Sequence, residues 1–244
     1  MFDMNRNIKH RLQLNVKLQK TEINWIPIDV NGELYYTYSL DPLRVMKCDK
    51  ATGDCRFIYE QPGSQSYPFT YTSDHLRGGT PWILYKYPYY IGVAHNVVVT
   101  KSPRDNFSVY NANLVVLSVD PWRLVYVSAN LDFNSNWLLS APVVRNQTII
   151  LPFFYPSGII LRNPDVIDVS GHLNDASGHI VRISGIKTIM DTIFAKEEDS
   201  YRKTSSIRAV QQYVMESMKS HHKAWSFRGD YVTGTVEKPT SVSL

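Results

Sequence analysis

The sequence predicts an all-β fold followed by a C-terminal α-helix. Three observations carry this expectation. Short apolar runs fill residues 11–185, and several alternate, as in Leu34-Tyr35-Tyr36-Thr37-Tyr38-Ser39, where neighbouring side chains fall on opposite faces. Between the runs stand turn residues: Asn31-Gly32, Asp41-Pro42, Thr52-Gly53, Asp120-Pro121, Asn163-Pro164 and Ser177-Gly178. No helical periodicity interrupts the strands until after Gly185. Many short strands joined by tight turns indicate a sandwich, a barrel or a propeller.

Taken in order, strands are expected at 24–30, 34–39, 43–48, 55–59, 81–86, 89–99, 113–118, 122–128, 148–154, 165–172 and 178–184. The stretch VMKCDKATGDCRFIY reads as a hairpin with Cys48 and Cys55 on opposite arms and Gly53 at a position needing positive φ. A bridge across so short a loop would stabilise by about 2.5 kcal/mol through chain entropy; two reduced thiols are the alternative. A pattern recurs: NGELYYTYSLDPLRVMKCD and ANLVVLSVDPWRLVYVS each run strand, Asp-Pro, strand. The residue before proline is pushed extended and proline donates no hydrogen bond, so each pair ends a strand. Equivalent sheets around an axis would produce such a recurrence, and so would a sandwich.

After Gly185 the chain changes character. Residues 187–194 read as a short helix or a last strand, and 196–204 as a charged linker. Ser205 is an N-cap for a helix over 206–223, with Ile207, Val210, Val214 and Met218 on one stripe. The end, GTVEKPTSVSL, reads as flexible. The domain expectation is therefore strands over 1–195, then linker, amphipathic helix and tail over 196–244.

Bulk properties exclude several classes. No window holds 18 consecutive apolar residues, so no membrane span is expected, and the first residues carry no secretory leader. A formal charge of +4 without dense basic clustering argues against a nucleic-acid partner. The sequons at Asn106 and Asn146, with the cysteine pair, lean towards the secretory pathway. No metal-ligand spacing and no nucleotide or nucleophile motif occurs, so neither metal nor cofactor is expected.

Two stretches carry candidate chemistry. In DHLRGGTPWILYKYPYYIGVAH, Gly78 and Gly79 lack a Cβ, so a ligand or another backbone can come close. Arg77 beside them offers a fork of donors to phosphate or to vicinal hydroxyls. Thr80 and His95 would complete an anion or sugar site; a tight turn and a structural histidine are the plainer reading. In VIDVSGHLNDASGHIVRISG, Asn174 and Asp175 cap a hairpin, and with His172 they would suit a polyhydroxylated ligand. Trp25 is a stacking platform for a sugar ring or plain core. Trp122 and Trp137 read as core, and His221-His222 as a solvated helix end.

The order of these features resembles the C-terminal portion of the five-bladed β-propeller family of β-mannoside phosphorylases and related β-1,2-mannosyltransferases. Four landmarks carry the resemblance: INWIPIDVNGELYYTYSLDPLRV, RGGTPWILYKYPYYIGVAH, NLVVLSVDPWRLVYVS and GHLNDASGHIVRI, together spanning about residues 20–185. The resemblance implies a partial propeller of about three blades and a central pocket for a mannosyl residue and, in the phosphorylases, inorganic phosphate. His95 would then touch phosphate or a sugar phosphate, with Arg77, Gly78, Gly79 and Thr80 lining the same site, and Asp175 would hold sugar hydroxyls. The family reaction inverts the anomeric carbon, in the logic of inverting glycoside hydrolysis with phosphate in place of water. This sequence departs from the family in two places. TPWILYK lacks a lysine in the slot that faces phosphate, since Lys86 comes too late. The family's catalytic aspartate lies upstream of all four landmarks and has no counterpart in this chain.

Overall fold

The computed structural model describes residues 2–3, 8–9, 11–14, 16, 24–62, 76–101, 106–138, 140, 149–150 and 152–200. The sequons' side chains and the expected helix over 206–223 lie outside the described residues. Strands β1 (Phe2–Asp3) and β2 (Ile8–Lys9) pair as a small hairpin. The remaining strands form three sheets, mainly antiparallel.

The first sheet is a meander of β4 (Ile26–Val30), β5 (Glu33–Leu40), β6 (Leu43–Cys48) and β7 (Asp54–Glu60), with the short β3 (Gln13–Leu14) parallel to β7. Asn31 (φ 53°) and Gly32 (φ 80°) make the two-residue β4–β5 turn, because both central positions need positive φ. Cys48 and Cys55 form a disulfide across the β6–β7 hairpin, with Cα atoms 4.1 Å apart. The loop it closes is held by Asp49, whose Oδ1 accepts from the amides of Ala51 and Thr52.

The second sheet contains β8 (Leu76–Arg77), β9 (Ile83–Lys86), β10 (Tyr89–Lys101), β11 (Asn106–Val119) and β12 (Trp122–Asn130). Strand β10 pairs with β9 near its start and with β8 at its middle. The Asp-Pro recurrence is structural. Asp41-Pro42 and Asp120-Pro121 occupy the β5–β6 and β11–β12 turns, both with a cis peptide. Each turn is closed by the serine before it: Ser39 Oγ donates to Pro42 O at 2.6 Å and Ser118 Oγ to Asp120 O at 3.2 Å.

After helix α1 (Ser135–Leu138) and strand β13 (Ile149–Ile150), which lies parallel to β11, comes the third sheet. It is built of β14 (Phe154–Asn163), β15 (Val166–Leu173) and β16 (Ser177–Ser184). This corrects the expectation of one strand over 148–154, which is divided between β13 and the start of β14. Pro156-Ser157-Gly158 reads as a turn, yet the ladder absorbs it as a bulge between Pro156 and Gly158. A proline is tolerated there because β14 is an edge strand. Asp168 on β15 is nearly buried between Arg182 and Arg162, whose hydrogen bonds hold its carboxyl well below the usual carboxylate range.

Gly185 (φ 89°) then ends the strand, and helix α2 (Ile186–Ser200) begins. The helix alternative for 187–194 is therefore the observed one, and it runs on through 196–200 of the segment expected as linker. Among the described residues no helix is long and apolar enough to cross a membrane.

The second sheet lies between the other two. Its face bearing Tyr90, Ala94, Val115 and Leu117 packs on Ile26, Ile28, Leu43 and Val45 of the first sheet. Its opposite face, with Ile91, Val93, Leu114 and Val116, packs on Ile167, Val169 and Leu173 of the third sheet and on Ile186 and Met190 of α2. Burial of each such side chain is worth about 2 kcal/mol. Polar stitches fix the first interface: Trp82 Nε1 donates to Thr37 Oγ1 at 3.0 Å and Tyr90 Oη to Asp29 O at 2.9 Å. Trp122 and Trp137 are packed against these cores, as expected.

Candidate functional site

The site grows from strand alternation. Ile91, Val93 and His95 share one face of β10, so His95, midway along the strand, emerges towards the third sheet rather than at a strand end as the sequence suggests. Arg77 on β8 lies in register beside it. Across from it stands Tyr155 of β14, whose ring centroid is 4.6 Å from that of His95. Tyr155 also stacks against His172 of β15, 5.0 Å away and 11° from parallel. Tyr110 and Phe153 complete a circuit of rings: Tyr110 is 6.4 Å from His95, Phe153 is 4.9 Å from Tyr110, and His172 is 6.4 Å from Phe153.

The first sheet reaches the same place. Tyr155 Oη donates to Asn24 Oδ1 at 3.2 Å, and Asn24 precedes β4. Gly78 abuts the same residue: a Cβ there would stand 2.3 Å from Asn24 O. The three sheets thus converge around Arg77, His95, Tyr155 and Asn24.

Asp175 stands at the rim. The turn that carries it has positive φ at both Asn174 (55°) and Asp175 (56°), and Ala176 N donates to Leu173 O to close it. Its exposed carboxylate approaches His172, with Oδ1 2.8 Å from Nδ1, an ion-pair contact not aligned as a hydrogen bond.

The electrostatics divide the site into a neutral floor and a charged rim. His95 is 3% exposed. Burial, and then the charge of Arg77, lower its pKa to about 4, with the Gly78 backbone opposing part of the shift. The imidazole is therefore neutral near pH 7, and its buried Nδ1 has no hydrogen-bond partner among the described residues. A buried polar atom left without a partner costs free energy. Burial also raises the pKa of the Tyr155 phenol; Tyr110 and Asp175 push the same way and Arg77 opposes. Arg77 and Asp175 therefore both act on the ring that separates the histidines.

The sequence-predicted residues fall into two groups. Arg77, His95 and Asp175 come together around Tyr155. Thr80, Asn174, Gly78, Gly79 and Trp25 serve the fold instead. Thr80 is fully buried: its Oγ1 accepts from Val93 N at 2.9 Å and donates to Pro81 O at 3.1 Å. Asn174 is 1% exposed; its Oδ1 accepts from Phe153 N at 2.8 Å and its Nδ2 donates to Leu138 O at 2.7 Å. The glycines admit protein backbone: a Cβ on Gly79 would stand 2.3 Å from Val93 O. Trp25 packs away from the site, with Tyr36, Tyr38 and the Cys48–Cys55 bridge. Lys86, already out of place in the sequence, lies at α2 with its Nζ 5.3 Å from the Phe194 ring. Sequence reasoning missed Tyr155, Tyr110 and Phe153. The aromatic run Phe153-Phe154-Tyr155 before a proline was the available signal. Among the described residues no group of three or more His, Cys, Asp or Glu is placed to hold a metal ion.

Comparison with known proteins gives a consistent direction. No protein-family model matches the chain. β-Mannosyltransferase 3 of Komagataella phaffii is 24% identical over 206 aligned residues, covering 76% of this chain and 33% of the relative. β-Mannosyltransferase 2 of the same yeast is 32% identical over 206 residues, covering 76% of this chain and 31% of the relative. The chain thus spans about a third of the length of the curated relatives it matches. Among solved structures, a mannose phosphorylase from Leishmania mexicana in complex with phosphate ion is 12% identical and covers 68% of this chain and 52% of its own, with a TM-score of 0.41. Over about three quarters of its length, this chain is homologous to the yeast β-mannosyltransferases.

Proposed function

We propose that this chain is the C-terminal portion of a five-bladed propeller enzyme that transfers a mannosyl group, with inversion, to or from phosphate or a sugar donor. The observation that carries this reading is the convergence of Arg77, His95, His172 and Asp175 where the three sheets meet. Homology to β-mannosyltransferases supplies the sugar class. The arrangement of the sheets supports a propeller: each is built mainly of antiparallel hairpins, and the middle one is covered on both faces by its neighbours.

The roles follow from the chemistry of each group. Asp175 is exposed and acceptor-only, so it takes hydrogen bonds from adjacent sugar hydroxyls. Arg77 presents a planar donor fork to an anionic oxygen or to two vicinal hydroxyls. His95, neutral, donates or accepts one hydrogen bond without adding charge. The rings of Tyr155 and His172 exclude water and so strengthen these contacts. The acid that protonates the leaving oxygen is not assigned to any residue of this chain. The Cys48–Cys55 bridge suits an oxidising compartment.

Calorimetric titration of the full chain with mannose, mannose 1-phosphate and inorganic phosphate tests the reading. Arg77→Ala, His95→Ala and Asp175→Ala are each expected to weaken binding by about tenfold or more. Native affinity in all three variants would eliminate this site. Sugar binding without transfer in the full-length gene product would favour a carbohydrate-binding module on the same scaffold.

A further inference from the structure

We infer that Tyr155 is a positioning residue of this site: its ring, held between His95 and His172 and tied through its hydroxyl to Asn24, fixes the two histidines relative to each other. The inference rests on the sugar site proposed above and adds to it a residue that no sequence motif singles out.

The geometry gives Tyr155 contacts to all three sheets. His95 belongs to the second sheet, His172 to the third, and Asn24 leads into the first; one side chain meets all three. The bulge at Pro156–Gly158 interrupts the regular ladder just after Tyr155 and re-aims the strand there. Pro156 then wedges against the Gly79 segment, with its Cγ 3.3 Å from where a Gly79 Cβ would stand. The ring therefore cannot slide along the sheet without disturbing the Arg77–Gly79 stretch.

The groups facing His95 are Arg77 from β8, Tyr110 from β11 and Tyr155 from β14. Those around Tyr155 add His172, Asp175 and Asn24. Of these, Tyr155 touches both imidazoles, stacked on His172 and tilted at 48° to His95. Without its ring, both histidines gain water and rotamer freedom, and the Arg77 and Asp175 ends of the site lose their fixed separation. Misplacement of binding groups by about 1 Å is enough to cost one to two orders of magnitude in function.

The test uses the full chain with isotopically labelled histidine, following the His95 and His172 ring resonances through a pH titration. The same samples are titrated with methyl mannoside and with inorganic phosphate. Tyr155→Phe keeps the stack, so His95 is expected to titrate near 4, as in the native chain. Tyr155→Leu keeps apolar volume but loses the stack. Its His95 midpoint is expected to rise towards the ordinary value of about 6.5, and both affinities to fall by about tenfold or more. Native titration and native affinity in Tyr155→Leu would overturn the inference. Should that variant fail to fold, the native spectrum decides: a ring stacked at 5.0 Å requires His172 ring protons upfield of those of free histidine, and their absence from that position overturns it. If the native chain binds neither sugar nor phosphate, the proposed function fails, while the histidine titrations still decide the role of Tyr155.

Discussion

His95 shows how one residue's environment sets a property of the whole chain. Its folded pKa of about 4 lies below the ordinary value of about 6.5, so between those limits the unfolded chain binds more protons than the folded one. Stability is therefore full above about pH 6.5 and falls as the pH drops towards 4, by roughly 3 kcal/mol in total. Urea midpoints measured across this window should fall steeply for the native chain and less steeply for His95→Gln, which does not titrate. Equal slopes would show that the ring is not buried in the neutral form. Two glycines make an opposite pair at the same scale. Gly79→Ala would place a Cβ 2.3 Å from Val93 O, whereas a Cβ on Gly178 meets nothing within 4 Å. The first change is expected to destabilise by about 2 kcal/mol or more and the second to lie within about 0.5 kcal/mol of neutral, read from thermal or urea unfolding. Glycine content alone does not separate these positions, because the clash comes from a strand remote in sequence.

At the scale of elements, the hairpins were the most legible features. Asn31-Gly32 and Thr52-Gly53 carry their own turn chemistry, and both Asp-Pro pairs mark turns closed by the serine two residues before the aspartate. The cysteine hairpin belongs here too. Its bridge closes a short loop, so Cys48→Ala/Cys55→Ala, or reduction, is expected to cost about 2.5 kcal/mol, measured as a shift in urea midpoint with the slope nearly unchanged. Strand β14 was illegible for a physical reason. Its Pro156-Ser157-Gly158 run carries a strong local turn signal, and only pairing with β15, across a bulge, holds it extended. The helix through 186–200 was half legible. Its apolar stripe of Ile186, Met190 and Ile193 is short, and what makes it helical is the apolar face of the second and third sheets beneath it.

For the molecule as a whole, the arrangement of the sheets sets where stability resides. The second sheet is covered on both faces, while β14 and β16 each pair on one side only. Amide exchange should therefore be slowest in Ile91–Ala94 and Leu114–Leu117 and fastest in Ser177–Ser184. Slow exchange throughout β16 would mean that its outer edge is covered in solution. The sequence by itself determined the all-β class, the turn positions, the cysteine hairpin and four of the residues that meet at the site, because each rests on local chemistry or on a repeating period. Only the tertiary structure decided that Thr80 and Asn174 spend their polar atoms on backbone, that Trp25 turns to another face, and that Tyr155 stands between two histidines. Those outcomes depend on how three sheets pack against one another, and contacts between residues far apart in sequence leave no periodic trace along the chain.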